Sequence, residues 1–463
     1  MKFPPHILLG AVLIGAALFF IRHLSAAFYL GTTTIDHPYI LFTACLMISG
    51  VIWACLIPAF QKWIDVRLNS HLTSWQTIGF LIALGLAFRA MFLGSTPIYE
   101  DDWNRYLWDG FVITQGESPY KYSPTEILEN KTPENTQKFK DISDANNSFL
   151  RKINNQHLTT IYPPVTQAVF TLAALIKPFS LDALRLLFLI SEAITMFLMV
   201  KALSLYGRSP LWLGLYALNP LLIFSAFNAA HMDILLAPAL IGTLIAMRRH
   251  PFVAAVVLST AAAIKLWPLL LAPIIFRPWR NNLKIYISCA FIVGALSLVL
   301  LWPMISTLGD NSGLATYSAT WQRSSFVFPL LEKGLSLLST NAGQLSRITI
   351  AIILVGFSLW RGLITPAGQP SIRPAELMLL TLALYLLSPT GYPWYLIWVL
   401  IFIPFKPLYG VAALCIMTPL YYVRFGLGEA GYYSIYTNVL TPLQFSLPML
   451  VLLFEFLWRN RHA

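Results

Sequence analysis

The chain has 463 residues, of which 57% are hydrophobic and only 11% are charged, and its formal net charge is +11. A water-soluble globular domain is charged at about a quarter of its residues, so this composition excludes that class. It also excludes a disordered chain, because disorder requires low hydrophobicity. Since the Lys and Arg residues lie at the ends of apolar runs, the positive charge indicates a membrane and not a nucleic acid as the partner.

Apolar runs that could cross the hydrocarbon core recur along the whole sequence. We predict an all-α polytopic membrane protein, a single integral membrane domain over residues 1–463 with about 12–14 transmembrane helices of ~20 residues each. The candidate runs lie near residues 6–22, 38–60, 76–94, 185–206, 211–227, 232–247, 285–303, 345–362, 374–388, 392–405, 407–422 and 441–458.

Two further apolar runs are predicted to differ from simple spans. The run 161–176 begins at Tyr162-Pro163-Pro164, and we expect a short helix that dips in from the outer face without crossing. The run 252–276 is interrupted at Lys265-Leu266-Trp267-Pro268. We expect two half-helices there, because a broken helix at membrane depth is tolerated where it lines a cavity.

The basic residues of the short loops predict the orientation of the chain. With them on the cytoplasmic side, both termini are cytoplasmic, and the short connecting loops favour a bacterial inner membrane. The large polar segment 95–160 then forms the first outer loop, and 304–340 forms the second. The first outer loop carries half of the acidic residues of the chain.

The sequence Tyr99-Glu100-Asp101-Asp102-Trp103 directly follows an apolar run. Three adjacent carboxylates repel one another, which raises the pKa of at least one of them. A carboxylate with a raised pKa is suited to act as a general base. The same residues are also typical of the capped start of a helix, so both interpretations stay open at this point.

Ionisable residues inside or beside apolar runs are candidates for function. Lys265 predicts a binding site with an anionic partner such as a lipid phosphate, and Arg323 is a weaker candidate for the same task; snorkelling of Lys265 to the interface is the alternative. Asp233 either faces the cavity of the acidic cluster or caps the following helix. Glu192 is either a hydrogen-bond partner within the bundle or part of a proton path, and we expect Arg89 to snorkel.

The aromatic segment around Tyr392, Trp394 and Tyr395 is typical of an interfacial belt. The chain contains no G-x-x-x-x-G-K-[ST], G-x-G-x-x-G, H-E-x-x-H or G-x-S-x-G motif. A cytoplasmic nucleotide-binding domain is therefore not predicted, and any chemistry is expected on the outer face, where lipid-bound donors are the suitable substrates.

Several short segments, taken in order, resemble those of one enzyme family. They are YEDDW (99–103, with Glu100 and Asp102 in the outer positions of an acidic D-x-D region), SPYKYSP (118–124), IYPP (161–164), Ser191-Glu192, Asn219-Pro220 with NAAHMD (228–233), IKLWP (264–268) and GYPWYLIW (391–398). Together they resemble the polyprenol- or dolichol-phosphate-mannose-dependent mannosyltransferases of the GT-C glycosyltransferase fold. These enzymes include the catalytic subunit of glycosylphosphatidylinositol mannosyltransferase I and the bacterial integral-membrane sugar transferases that are glycosyltransferase family 87-like.

The resemblance implies an inverting transfer of a hexose, most often mannose, from a polyprenyl-phosphate donor to a glycolipid or glycan acceptor on the outer face. Asp102, Asp101 or Glu100 is then the catalytic carboxylate, and Lys265 and Arg323 bind the donor phosphate. Substrate contacts are implied for Arg105, Tyr120, Tyr162, His231, Asp233, Tyr392, Trp394 and Tyr395. No cofactor is required, although the carboxylates could hold a divalent Mg or Mn ion.

Two other functions would use some of the same residues. A transporter or lipid flippase would also place Glu192, Lys265 and Asp233 inside the membrane, but it predicts a repeat symmetry that the sequence lacks. A non-catalytic scaffold of a cell-envelope assembly would tolerate the loss of the carboxylates. Membrane lipids are expected partners in every case.

Overall fold

A computed structural model describes residues 3–28, 36–68, 75–129, 141, 148–309, 312–364 and 374–461. Within these residues the regular secondary structure is helical, apart from one isolated parallel bridge between Arg323 and Thr390. The all-α prediction is therefore confirmed for the described part of the chain. Two parts of the predicted first outer loop, 130–140 and 142–147, lie outside the described residues.

The α-helices form two groups in chain order, separated by the break at Lys265. Those before it are α1 (Pro5–Leu24), α2 (Tyr39–Leu68), α3 (Trp75–Ala90), α4 (Asp102–Thr114), α5 (Pro124–Leu128), α6 (Pro164–Ile176), α7 (Leu181–Leu205), α8 (Leu213–Ala217), α9 (Pro220–Ile223), α10 (Leu236–Met247) and α11 (Pro251–Ala262). Those after it are α12 (Ala272–Phe276), α13 (Leu283–Ile305), α14 (Gly313–Thr320), α15 (Val327–Leu335), α16 (Ala342–Leu359), α17 (Pro374–Leu387), α18 (Ile397–Leu400), α19 (Tyr409–Met417), α20 (Val423–Glu429), α21 (Tyr433–Ile435) and α22 (Thr441–Arg461).

Tighter and wider helical turns extend or join these elements. The 3₁₀ segments are Ser25–Phe28, Pro210–Trp212, Met232–Leu235, Trp267–Leu271, Arg277–Trp279, Pro393–Leu396 and Thr418–Tyr422. The π-helical segments are Phe224–Asn228, Trp360–Ile364 and Tyr436–Leu440. Because π-helical turns occur frequently at functional sites, Phe224–Asn228 marks a region of interest just before His231.

Among the described residues, seven helices are long and apolar enough to cross a membrane. They are Pro5–Phe28, Tyr39–Val66, Leu181–Leu205, Leu283–Ile305, Ala342–Ile364, Tyr409–Glu429 and Tyr433–Arg459. The pair Pro210–Ala217 and Pro220–Asn228, bent by 57°, makes an eighth if it is one span. Five shorter apolar helices, among them Trp75–Ala90 and Pro164–Ile176, complete this bundle. The chain is a multi-pass membrane protein of the α-helical class.

The predicted spans 211–227 and 392–405 are not simple membrane crossings. Every residue from 211 to 237 and from 390 to 405 is buried. These two segments contact each other at the centre of the bundle, through α9, α18 and the short turns beside them. Hydropathy alone does not separate a lipid-facing helix from a segment enclosed by protein, since both are continuous apolar runs. The predicted span over 392–405 is not one of the helices long enough to cross a membrane, because its helical part covers only Pro393–Leu396 and Ile397–Leu400.

Arg89 forms a buried ion pair and does not snorkel, contrary to the expectation from its position near a helix end. Its Nε lies 2.6 Å from Oε2 of Glu192, and both side chains are fully buried. The guanidinium also donates to the carbonyls of Gly85 and Ala217, at 2.9 and 2.8 Å. Tyr216 donates its hydroxyl to Glu192 at 2.5 Å. Glu192 is thus the hydrogen-bond partner within the bundle, joining α3, α7 and α8.

We expect Arg89→Met to lower the free energy of unfolding by about 3–5 kcal/mol, because it leaves Glu192 charged and buried without its partner. The double variant Arg89→Met/Glu192→Leu should recover most of this loss, because it removes both charges together. Thermal unfolding of the purified protein measures both effects. If the single and double variants were equally unstable, packing and not the ion pair would account for the loss.

Candidate functional site

A cavity of about 740 Å³ lies where residues 99–102, the break at Lys265 and the segment 388–398 meet. Most of the site residues predicted from the sequence line it: Glu100, Asp101, Asp102, Arg105, Tyr162, Asp233, Lys265, Tyr392, Trp394 and Tyr395. One wall is apolar and comes from α16 and the turn after Lys265, through Ile350, Ala351, Leu354, Val355, Leu266 and Leu270. The cavity therefore combines a charged end with a hydrocarbon-like wall.

The acidic segment is tied to the core by Asn228 and Arg185. The side-chain oxygen of Asn228 accepts from the amide of Ile98 at 2.9 Å, and its amino group donates to the carbonyl of Thr96 at 2.9 Å. Arg185 donates to the carbonyls of Ser95 and Asn228, both at 2.9 Å. These bonds fix the loop at residues 95–98 and thereby set the position of the carboxylates that follow.

Burial, and not mutual repulsion, is the largest cause of the raised carboxylate pKa values. Burial raises the pKa of Glu100, Asp101 and Asp102, and that of Asp102 reaches about 6, with Asp101 contributing next. The amide of Asn154 donates to Asp101 at 2.7 Å and to Asp102 at 2.8 Å, which lowers the pKa of both. Asp101 occupies the N-cap position of α4, but its side chain makes no capping hydrogen bond.

His231 lies behind the carboxylates and does not line the cavity. Its Nε2 is 3.4 Å from Glu100 and its Nδ1 is 3.8 Å from Asp102, while its ring stacks on Trp394 at 3.8 Å between centroids. The preceding Ala230 has φ +56°, a left-handed conformation that strains an alanine. Burial lowers the pKa of His231. Because the ring lies outside the cavity lining, its position does not support the predicted substrate contact and is a supporting one.

Lys265 is positioned by a helix break, a carboxylate and two aromatic rings. Helix α11 ends at Ala262 and a 3₁₀ turn begins at Trp267, so the predicted break is present. The ammonium lies 2.5 Å from Asp233, and the indole of Trp398 donates to the same carboxylate oxygen at 2.6 Å. The ammonium of Lys265 lies 4.2 Å from the ring centre of Tyr395 and 4.8 Å from that of Trp398, and both distances are in the cation–π range. Asp233 is thus the partner of Lys265, and its side chain caps no helix.

Aromatic hydroxyls connect the segment 388–398 to α14. Tyr317 and Tyr395 share a hydrogen bond of 2.7 Å between their hydroxyls, and the indole of Trp321 donates to the hydroxyl of Tyr392 at 3.0 Å. The rings of Tyr392 and Trp394 stack at 4.3 Å. The aromatic residues predicted as an interfacial belt therefore form an internal wall of the cavity.

Arg323 does not join Lys265, so its predicted role at the donor phosphate is not supported by its position. Its side chain is exposed and lies outside the cavity lining. Its backbone amide donates to the carbonyl of Pro389 and its carbonyl accepts from the amide of Gly391, both at 3.0 Å. The arginines that line the cavity besides Arg105 are Arg347 and Arg424, and Arg424 stacks over Tyr421 and Phe425.

Tyr120 and Arg105 hold the outer loop together. Tyr120 donates to the carbonyl of Tyr162 at 2.7 Å, packs in a small apolar cluster with Ala263, and lies outside the cavity lining, which corrects its predicted substrate contact. Arg105 lines the cavity but is already paired with Asp109 at 2.7 Å. It also donates to the carbonyl of Leu158 at 2.9 Å, so its first role is structural.

The arrangement does not match a preformed metal site. In the described part of the chain no three His, Cys, Asp or Glu side chains come close enough together to hold a metal ion. Asn154, which bridges Asp101 and Asp102, contributes donor hydrogens at the point where a cation would need oxygen ligands. No step of the chemistry is therefore assigned to a metal ion.

Sequence reasoning missed several residues of the site, namely Asn154, Tyr317, Arg347, Arg424 and Trp398. Trp398 ends the GYPWYLIW segment, so a signal for it was present. The other four are Asn154 in a polar loop, Tyr317 in the segment 304–340, and the arginines Arg347 and Arg424. Arg347 interrupts the apolar run 345–362 and so gave a signal, whereas Asn154, Tyr317 and Arg424 are brought to the cavity only by the fold.

A family model described as alpha-(1→6)-mannopyranosyltransferase, N-terminal domain, matches residues 6–281, which is more than half of the chain. The chain belongs to this family. It is a glycosyltransferase of the mannosyltransferase class, which confirms the resemblance found in the sequence and disfavours a transporter. No curated protein and no solved structure matches the chain. The matched range contains Asp102, Asp233 and Lys265, whereas the aromatic wall at 392–398 lies beyond it.

We expect Asp233→Leu to reduce the rate of mannosyl transfer at least about 100-fold, because Lys265 loses the carboxylate that positions it. A displacement of a reacting group by about 1 Å is enough to lower a rate by this factor. Trp398→Phe is the matched control: it removes one hydrogen bond to Asp233 but keeps a ring beneath the ammonium. Its activity should fall much less. Initial rates and thermal unfolding of both variants measure the difference, and equal losses would argue against the ion pair as the positioning device.

Proposed function

We propose that this protein transfers an α-mannosyl residue, with inversion, from a polyprenyl-phosphate-linked donor to a glycolipid or glycan acceptor on the outer face of a bacterial inner membrane. The observation that carries the proposal is the cavity itself. It places Lys265 and three carboxylates at one polar end and an apolar wall beside them. A donor with a phosphate between a sugar and a long hydrocarbon chain matches these surfaces in that order.

Lys265 is the group suited to the leaving phosphate. When the bond between the anomeric carbon and the phosphate oxygen breaks, the departing polyprenyl phosphate gains a negative charge. A preorganised cation at that point stabilises this charge most strongly in the transition state. Lys265 is held by Asp233 and by the faces of Tyr395 and Trp398, and 24% of its side chain is still accessible. The ammonium can therefore meet an incoming phosphate without rebuilding the site.

Asp102 is the carboxylate suited to act as general base. The acceptor hydroxyl loses its proton to Asp102 as its oxygen attacks the anomeric carbon. A base works best when its pKa lies near the working pH, and that of Asp102 is raised to about 6. Its side chain is 27% exposed, whereas that of Glu100 is 6% exposed and directed at His231. Asp102 is therefore the more accessible of the two carboxylates next to His231.

Inversion agrees with this division of roles. A single displacement needs one base for the acceptor and one stabiliser for the leaving group, on opposite sides of the sugar. Lys265 lowers the pKa of Asp102, so the two groups interact across the cavity. An α-linked product then requires a β-linked donor. No second carboxylate is needed as a nucleophile, which assigns supporting roles to Asp101 and Glu100.

The decisive experiment is an assay of the purified protein with polyprenyl-phosphate-mannose and candidate acceptors, followed by determination of the anomeric linkage. We expect an α-mannosyl product from the lipid-linked donor and none from a nucleotide-linked mannose. Asp102→Asn should lower the rate by about 10²–10⁴, which is the usual contribution of a general base.

Asp101→Asn is the matched control for Asp102→Asn. It removes the neighbouring carboxylate, which shares the hydrogen-bond donor Asn154, and it should retain most of the activity. Wild-type rates in Asp102→Asn would exclude Asp102 as the base. Transfer from the nucleotide-linked donor alone would overturn the donor assignment.

The pH dependence of transfer gives a second test of the base. Activity should be lost as the pH falls through about 6, the pKa of Asp102, because only the carboxylate form accepts a proton. Asn154→Leu removes a hydrogen bond that lowers this pKa, so the midpoint should move to higher pH. Ser318→Ala, also on the cavity wall, should leave the midpoint in place. The test is a profile of rates from about two pH units below this midpoint to about three above it. An unmoved midpoint in Asn154→Leu would contradict the assignment of Asp102 as the general base.

A further inference from the structure

A second, basic pocket of about 550 Å³ lies far from the catalytic cavity. It is formed by the second half of α2, the loop after α7, the segment 405–409 and the end of α22. His37, just before α2, contacts Tyr99 of the cavity with 5.6 Å between ring centres. The pocket begins about twenty residues further along this helix, which corresponds to roughly 30 Å. It therefore lies at the opposite end of the helix bundle.

The charge of this pocket is strongly positive. Its ionisable lining residues include Lys62, Arg208, Lys406, Arg459 and one acid, Asp65. Arg459 is paired with Glu455 at 2.8 Å, so Lys62, Arg208 and Lys406 carry the excess positive charge. The carboxylate of Asp65 already accepts a hydrogen bond of 2.7 Å from Gln61. The cations come from four separate segments of the chain, so the fold and not a local run of basic residues gathers them.

Arg208 directly follows the end of α7, where the turn of the chain is well defined. Gly207 adopts φ +65°, and the amides of Gly207 and Arg208 bond back to Ser204 and Leu203 at the end of α7. This pattern is a Schellman motif, which fixes the chain direction after a helix. The guanidinium lies 5.0 Å from the ring centre of Trp212, and its Nε is buried with no hydrogen-bond partner in the described chain. The guanidinium of Arg208 thus lies against an aromatic ring at the pocket wall, at a position set by the end of α7.

We propose that this pocket binds the phosphate group of an anionic phospholipid from the membrane leaflet opposite the catalytic cavity. Basic pockets between transmembrane helices on the cytoplasmic side are suited to anionic head groups. Tyr409 is half exposed at the pocket, a position typical of the aromatic belt at a membrane interface. The planar fork of Arg208 matches phosphate oxygens in two parallel hydrogen bonds. A bound head group would connect α2, the loop after α7 and α22.

The test uses the full chain in nanodiscs of phosphatidylcholine with and without phosphatidylglycerol. We expect the anionic lipid to raise the unfolding temperature of the wild type, since a ligand that binds only the folded state stabilises it. The double variant Lys62→Gln/Arg208→Gln should bind phosphatidylglycerol about tenfold or more weakly in a titration followed by native mass spectrometry, and it should lose the temperature shift.

The matched control is Arg249→Gln/Lys284→Gln, which removes the same charge from two exposed residues outside the pocket. It should keep both the affinity and the temperature shift. A control that behaves like the pocket variant would overturn the proposal in favour of unspecific charge attraction. A further arm of the test adds inorganic phosphate to the protein in nanodiscs of pure phosphatidylcholine and measures the unfolding temperature. The same shift with inorganic phosphate alone would identify a free anion as the ligand and overturn the lipid assignment.

Discussion

The ion pair between Lys265 and Asp233 is the interaction on which the catalytic cavity depends. A lone charge among apolar segments is strongly unfavourable, so each of these residues requires the other. Their contact joins the broken segment after α11 to the turn that carries His231, and Trp398 adds a third segment through the same carboxylate oxygen. The break in the chain, the turn and the aromatic wall are therefore positioned by one pair of charges.

The remaining polar groups of the site are arranged around this pair in two layers. Groups such as Asp102 and Tyr395 face the cavity. Groups behind them, such as His231 and Asn228, are fully buried and fix the geometry. Left-handed conformations at Tyr99 and Ala230 occur where the two layers meet. Backbone strain of this kind persists only where the surroundings hold it in place, and it is concentrated at functional sites.

Much of the site could be predicted because charges and prolines interrupt otherwise apolar runs. Lys265, Asp233 and the acidic stretch at 100–102 were visible in this way, and the cavity contains all of them. The partners of charged residues were harder to predict from the sequence. Arg89 and Glu192 are 103 positions apart, and an ion pair over such a separation leaves no local pattern. The same limit applies to Asn154, which reaches the carboxylates from a distant part of the loop.

The helical class also followed from composition, but the division between lipid-facing and enclosed segments did not. The segments 211–227 and 392–405 have the hydropathy of membrane spans and are instead surrounded by protein. Burial by neighbouring helices depends on which surfaces meet, and a single sequence does not contain that information. The predicted substrate contact of Tyr120 and the predicted phosphate contact of Arg323 have the same limit, since both side chains lie outside the cavity lining.

The buried pair of Arg89 and Glu192 has a consequence for the biogenesis of the protein. Helix α3 is synthesised well before α7, so Arg89 enters the membrane without its carboxylate. At the end of a 16-residue helix it can reach the polar interface during that interval. It becomes enclosed only after the intervening loop 95–160 has been synthesised and α7 has been inserted. The helix bundle around the site is thus completed late, when the loop that carries the carboxylates has already been synthesised.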